Sequence, residues 1–262
     1  MTTKTKIVLE QVVNLLGPNS WTYRPVLEAW VDFAAIQGSP QTHQTAALTR
    51  LLAWVPALAQ SHLNLEASPG TENTLATGRW SPQILEHLTL TLQSLADMPG
   101  GFGDTHQTSK PTLYKVVVRA WHPSVTHYAL HAARDLVEAA FNDTQVDISA
   151  TVARLQELRH KHCLGPSTAC IVDAADDRDI PAIRLNTGNL LQLGYGINQR
   201  RIWTAETDRT GAIAETISRD KDLTKSLLQS CGVPVPTGQA VDSAAEAWEA
   251  AQELGVPVVV KP

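Results

Sequence analysis

At 262 residues the chain is long enough for two ordinary domains, and a composition of 43% hydrophobic and 18% charged residues is that of a folded protein, not a disordered one. A formal net charge of −5, shared evenly between the two halves, excludes nucleic acid as a partner recognised by a basic surface. Three cysteines (Cys163, Cys170, Cys231), odd in number and without a Cys-x-x-Cys pair, argue against a disulfide framework or structural zinc, and no apolar run reaches membrane-spanning length, so a soluble, cytoplasmic protein with no membrane partner is expected.

Along the chain, "MTTKTKIVLEQVVNLLGP" is interrupted by Glu10, Gln11 and Asn14 and lacks a cleavage site, so it does not read as a signal peptide. The stretches "WTYRPVLEAWVDFAAI" and "TAALTRLLAWVPALAQSHL" read as helical, with Ser/Pro/Thr-rich loops between them. Ile84, Leu88, Leu92 and Leu95 recur at helical spacing until "MPGGFG" makes a glycine turn. "TLYKVVVRAW" is β-branched and aromatic enough for a strand. "VTHYALHAARDLVEAAF" puts Ala129, Ala133, Leu136 and Ala140 on one helical stripe, and Ile148, Val152, Leu155 and Leu158 mark another helix. The polar, basic "LRHKHCLGPS" marks a border, dividing the chain into residues 1–162 and 163–262.

Beyond the border helix and strand alternate. "STACIVDAADDRD" predicts a helix, "IPAIRL" and "QRRIWTAETD" strands, and "DKDLTKSLLQSCG" a helix stopped by Gly232. "DSAAEAWEAAQELG" carries a capping box at Ser243 and Glu246 and leads into "VPVVVKP", which predicts a final strand. The expected class is α/β: an α+β N-terminal domain followed by an α/β part.

Lys261, at the end of that last apolar run, reads by itself as a gatekeeper with a packed stem and a solvated ammonium. His127 and His131 share a helix face, but neither they nor His106, His122, His160 and His162 have metal-ligand spacing that outweighs solvated or hydrogen-bonded roles. Successive strand residues face opposite ways, so only one of Arg200 and Arg201 can face a given site. The tryptophans read mainly as packing residues.

"DKDLTKSLLQSCGVPVPTG" with "AAEAWEAAQELGVPVVVKP" resembles the opening of the nucleotide-binding region of ATP-grasp ligases. Together with "LLGPNSW", "MPGGFGDTHQT", "LGPSTACIVDAADDRDIPAIRL" and "LLQLGYGINQRRIWTAETDRTGAIAETISRDKDLTK", in the same order, it is similar to the cyanophycin synthetases. The resemblance implies an N-terminal domain, an ATP-grasp domain that adds aspartate and a Mur-ligase-like domain that adds arginine. Residues 1–162 would be the polymer-binding N-terminal domain and 163–262 the beginning of the ATP-grasp domain. It further implies ATP and Mg²⁺, acyl-phosphate intermediates, and aspartate, arginine and a cyanophycin polymer or primer as partners, in a homo-oligomeric parent. Lys221 and Lys261 match the family's nucleotide-contacting lysines, and flexible point charges suit phosphate oxygens. Lys225 reads as a solvated helix residue. The phosphate loop and magnesium carboxylates are expected beyond Pro262, so the segment by itself is expected to be inactive.

Some members of that family have His-x-x-Glu-His, a zincin-type metal motif, where this chain has "QILEH". Gln83 stands in the first ligand position, and a neutral amide is a poor zinc ligand. Gln83, Glu86 and His87 are therefore expected to be a degenerate site without metal. Two alternatives stand beside this reading: a glutathione-synthetase-like peptide-forming ATP-grasp ligase, and a non-catalytic polymer-binding module.

Overall fold

The computed structural model describes residues 4–61, 80–98 and 100–261. They divide into two compact units, Met1–Ala205 and Glu206–Pro262. The border expected after residue 162 falls inside the first unit, between two helices.

The first unit is built on a four-stranded antiparallel sheet in the order β1-β2-β4-β3, from β1 (Val8–Leu15), β2 (Val26–Asp32), β3 (Gly103–Gln107) and β4 (Leu113–Arg119). Leu27, Ala29 and Val31 of β2 and Val116 and Val118 of β4 point into one core, which helices cover. Those helices are α2 (Gln41–Trp54), α4 (Gln83–Leu95), α5 (Pro123–Asn142) and α6 (Ile148–His162); short α1 (Ala34–Gln37) and α3 (Ala57–Ser61) connect them. Ile84, Leu88 and Leu92 and the stripe Ala129/Ala133/Leu136/Ala140 are buried, as their spacing predicts, whereas Leu95 at the end of α4 is 39% exposed. Pro123 opens α5 behind the cap His122, and Asp143 ends it in the left-handed region.

Two expectations are corrected by this unit, at residues 26–32 and at Gly103. Residues 26–32, read as helical, form the central strand β2. Their burial alternates with period two, Leu27, Ala29 and Val31 inward and Glu28, Trp30 and Asp32 half-exposed, and full pairing with β4 decides between the two periods. The polar residues that break up the N-terminal run belong to edge strand β1, which is bulged between Leu9 and Gln11. Gly103, read as part of a turn, begins edge strand β3.

After α6, helix α7 (Pro166–Asp176) precedes the antiparallel strands β5 (Ala182–Arg184), β6 (Leu190–Leu193) and β7 (Arg200–Trp203), with Leu191 and Ile202 buried. The Arg184 guanidinium donates to the carbonyls of His162, Thr187 and Gly188, tying this small sheet to the end of α6.

The second unit begins with a two-residue strand, β8 (Glu206–Thr207), and holds three helices, α8 (Ala212–Arg219), α9 (Lys221–Ser230) and α10 (Ala244–Leu254). Asp220 ends α8 and caps α9, its carboxylate accepting from the Asp222 and Leu223 amides at 3.1 and 3.0 Å. The Ser243 hydroxyl accepts from the Glu246 amide, and the Glu246 carboxylate reaches the amide of Asp242, one residue before the cap. The strand expected at "VPVVVKP" does not form: Val259 and Val260 are 81% and 70% exposed, and the backbone makes no ladder. A strand exists only through a pairing partner, and none pairs with this segment among the described residues. Trp203 and Trp248, expected to pack, are 59% and 62% exposed. No helix among the described residues is long and apolar enough to cross a membrane.

Candidate functional site

The zincin-like residues stand where α4 begins. Ile84, Leu85 and Leu88 anchor this turn in the core, which fixes the direction of the residues between them. Glu86 is only 4% exposed and lies against β3, where its Oε2 accepts the Thr105 hydroxyl at 2.5 Å. Gly103 makes room for it, since a Cβ at that position would lie 2.8 Å from the Glu86 carboxyl carbon. Burial pushes the Glu86 carboxyl up to about 7; nearby Asp104 adds to the rise, and the Thr105 bond and His106 oppose it.

His87 is buried beside it, and the Gln83 side-chain oxygen is buried without a hydrogen-bond partner. Among the described residues no group of three or more His, Cys, Asp or Glu side chains could hold a metal ion. One imidazole, one neutral amide and a carboxyl held by a threonine do not fit a catalytic zinc, which requires three protein ligands. What the arrangement can do is hold one proton near neutrality in a closed pocket. Gln83, Glu86 and His87 are picked out by resemblance to the His-x-x-Glu-His motif; Gly103 and Thr105 come from strand β3 and carry no sequence signal for this role.

The two candidate nucleotide lysines are both in the second unit. Lys221 is the first residue of α9, directly after the cap Asp220, and Lys261 lies in the exposed, unpaired tail. Neither ammonium has a hydrogen-bond or ion-pair partner among the described residues. Lys225, one turn into α9, stands beside Gly238.

The register Leu193↔Arg200 and Gln192↔Arg201 puts the two arginines on opposite faces of their sheet, as expected. His127 and His131 stack at 6.5 Å, and the His127 Nε2 lies 3.1 Å from the Asn14 amide nitrogen. A second pair, which spacing could not reveal, stacks His122 on His162 at 4.8 Å. Burial, His162 and the Arg184 guanidinium together hold the His122 imidazole below its ordinary value.

Residues 30–142 match the family described as the cyanophycin synthase-like N-terminal domain. Over 258 residues, 96% of the chain, it is 31% identical to the cyanophycin synthetase of Trichormus variabilis, and over 254 residues, 95% of the chain, it is 32% identical to that of Geminocystis herdmanii. It spans 29% of the length of each. A shorter match, 44% identity over 52 residues, links 20% of the chain to 16% of the D-alanine–D-alanine ligase of Acidovorax ebreus. Similarity to cyanophycin synthetases thus runs almost the whole length of the chain, around a region that matches the cyanophycin synthase-like N-terminal domain.

Proposed function

We propose that this chain is part of an ATP-dependent ligase that polymerises aspartate and arginine into cyanophycin, with residues 1–162 tethering the polymer and 163–262 opening the ATP-grasp domain. The observation that carries this reading is the 31% identity to cyanophycin synthetases over 96% of the chain. ATP supplies the phosphoryl group that turns a carboxylate into an acyl phosphate open to attack by an amine, and Mg²⁺ offsets the phosphate charge. In this chain Lys221 and Lys261 contact the nucleotide: both are exposed cations on flexible stems. The short match to a D-alanine–D-alanine ligase supports the ATP-grasp assignment of the C-terminal part. Gln83, Glu86 and His87 bind no metal and cut no polymer, because one imidazole is too few.

Tethering fits a domain with little net charge, since weak contacts repeated along a polymer raise its local concentration at a catalytic centre. The parent works in the cytoplasm as a homo-oligomer. By itself the 262-residue segment is inactive as a ligase. The test uses the full-length parent with aspartate, arginine, Mg²⁺, ATP and a short cyanophycin primer, measuring ATP consumption and insoluble product. Lys261→Ala is expected to raise the KM for ATP by about 10- to 100-fold, the size of one lost charge-assisted contact. ATP turnover that requires neither amino acid nor primer would overturn the ligase reading, as would no turnover at all.

A further inference from the structure

The side of the main sheet that faces away from the helical core is organised around a single carboxylate. Glu28 Oε2 accepts the Trp21 indole N–H at 2.9 Å and Oε1 accepts that of Trp30 at 3.0 Å, so one side chain fixes two half-buried rings. The Lys115 ammonium sits 4.6 Å from the Trp30 ring centroid and 3.4 Å from Glu28. Trp21 stacks on His106 at 5.4 Å, and His106 is bonded to Asp104 at 2.9 Å. At the β1 edge, Lys110 is shared between Glu10 at 3.2 Å and Asp32 at 3.0 Å. The end of helix α7 and its cap Asp177 meet this side at Arg24 and Arg119, through Asp173, Asp176 and Asp177.

Charge on this open part is lopsided. Glu10, Glu28, Asp32 and Asp104 face two lysines, Lys110 and Lys115, and both lysines are at least 31% exposed. Each lysine already occupies a seat built for a cation, Lys115 between an indole face and a carboxylate and Lys110 between two carboxylates. A guanidinium fits either seat better than an ammonium, because its plane stacks on indole and its paired N–H groups bridge carboxylate oxygens.

From this geometry we infer that the outward face of β2 and β4 is a docking surface for a chain bearing repeated arginine side chains, whose guanidinium groups displace Lys115 from Trp30/Glu28 and Lys110 from Asp32/Glu10. The excess of carboxylates supplies the charge complementarity. The inference rests on the tethering reading for the identity of that chain, an arginine-bearing polymer. Displacement of an existing cation makes each contact weak, and only several guanidinium groups on one backbone give useful affinity.

The test is calorimetric titration of the purified 262-residue chain with a capped tetra-arginine peptide and with tetra-lysine of equal charge. Tetra-arginine is expected to bind at least about fivefold more tightly. Trp30→Ala is expected to weaken it about tenfold, one cation–π contact. Lys115→Met is expected to strengthen it severalfold, a gain that misfolding cannot mimic; thermal melts check that both variants fold. Equal binding of the two peptides, no effect of Trp30→Ala, or weaker binding by Lys115→Met would each overturn the docking surface. A second arm sediments insoluble cyanophycin with the same proteins. Polymer capture that is unchanged in Trp30→Ala keeps the tethering reading and sinks this face. Tetra-arginine binding without polymer capture keeps the face and sinks the tethering reading.

Discussion

Glu86 and Glu28 are both largely buried glutamates of the first unit, 4% exposed as a residue and 13% exposed as a side chain, yet their carboxyls move in opposite directions. Burial raises both. Glu86 has one hydroxyl donor against that pressure and ends near 7, whereas Glu28 has two indole N–H donors and an ammonium, which outweigh burial and bring it below its ordinary value. The difference shows that the number of donors aimed at a buried carboxyl decides its charge, and the two surroundings predict different chemistry. A buried carboxyl that keeps its proton suits a structural role, and an ionised carboxylate under half-exposed indoles suits cation recognition.

The largest expected effect tests the Glu86 half of this contrast. Its folded value, about 7, lies above the ordinary 4.5, so the stability it contributes is complete below pH 4.5 and is lost as pH rises through 7. The gap corresponds to about 3 kcal/mol. Urea unfolding from pH 5 to 8.5 should show wild type losing most of that amount relative to Glu86→Gln, which has no such titration. Parallel curves would mean that the pocket admits water. Gly103→Ala attacks the same pocket sterically by placing a methyl group against the Glu86 carboxyl. A cost of about 1–3 kcal/mol is expected at pH 6, with no comparable cost for a substitution at exposed Gly211.

The Glu28 half gives a smaller effect with the opposite pH sign. Its folded value is depressed, so its contribution is present above the ordinary 4.5 and disappears as pH falls through the folded value. Glu28→Gln should cost about 1–2 kcal/mol at pH 7, the lower part of the range for bonds to a charged group because the site is partly exposed. The cost should shrink toward pH 3. Tryptophan fluorescence of the variant should shift to the red as Trp21 and Trp30 lose their shared anchor; an unchanged spectrum would show that the rings are held by packing alone.

Legibility followed the same physics. Helices α4 and α5 were readable because each buries a regular stripe, α6 because Leu155 is buried with Ile148 and Leu158 half-buried against the same core, and β4 by its β-branched and aromatic run; the Gln83/Glu86/His87 turn was singled out by its resemblance to a metal motif. The edge strands β1 and β3 were not, since their polar and glycine residues blur the alternation that a half-buried strand would show. Residues 26–32 satisfied both periods until pairing with β4 chose one. "VPVVVKP" had the composition of a strand, but pairing is a property of two segments. At the sites, what escaped was again the second element: Thr105 and Gly103 for Glu86, and Glu28 as the residue that turns two tryptophans outward.

His122 extends the comparison to a base. Burial, the stacked His162 and Arg184 all oppose its protonation, and no carboxylate contributes to its shift. A depressed value means that the folded state binds the proton less readily than the unfolded chain, so stability held above pH 6.5 is lost as pH falls through 6.5 toward the folded value. His122→Asn separates this charge effect from helix capping. The imidazole Nδ1 accepts from the Ser124 amide at 3.3 Å, and asparagine, a preferred cap, can accept the same bond. Expected is a variant as stable as wild type at pH 7.5 that loses less on acidification to pH 5, read by urea midpoints. The effect should be the smallest of the four because the ring is only half-buried. A variant that loses as much as wild type would show that the His122 imidazole does not carry the acid sensitivity of this junction.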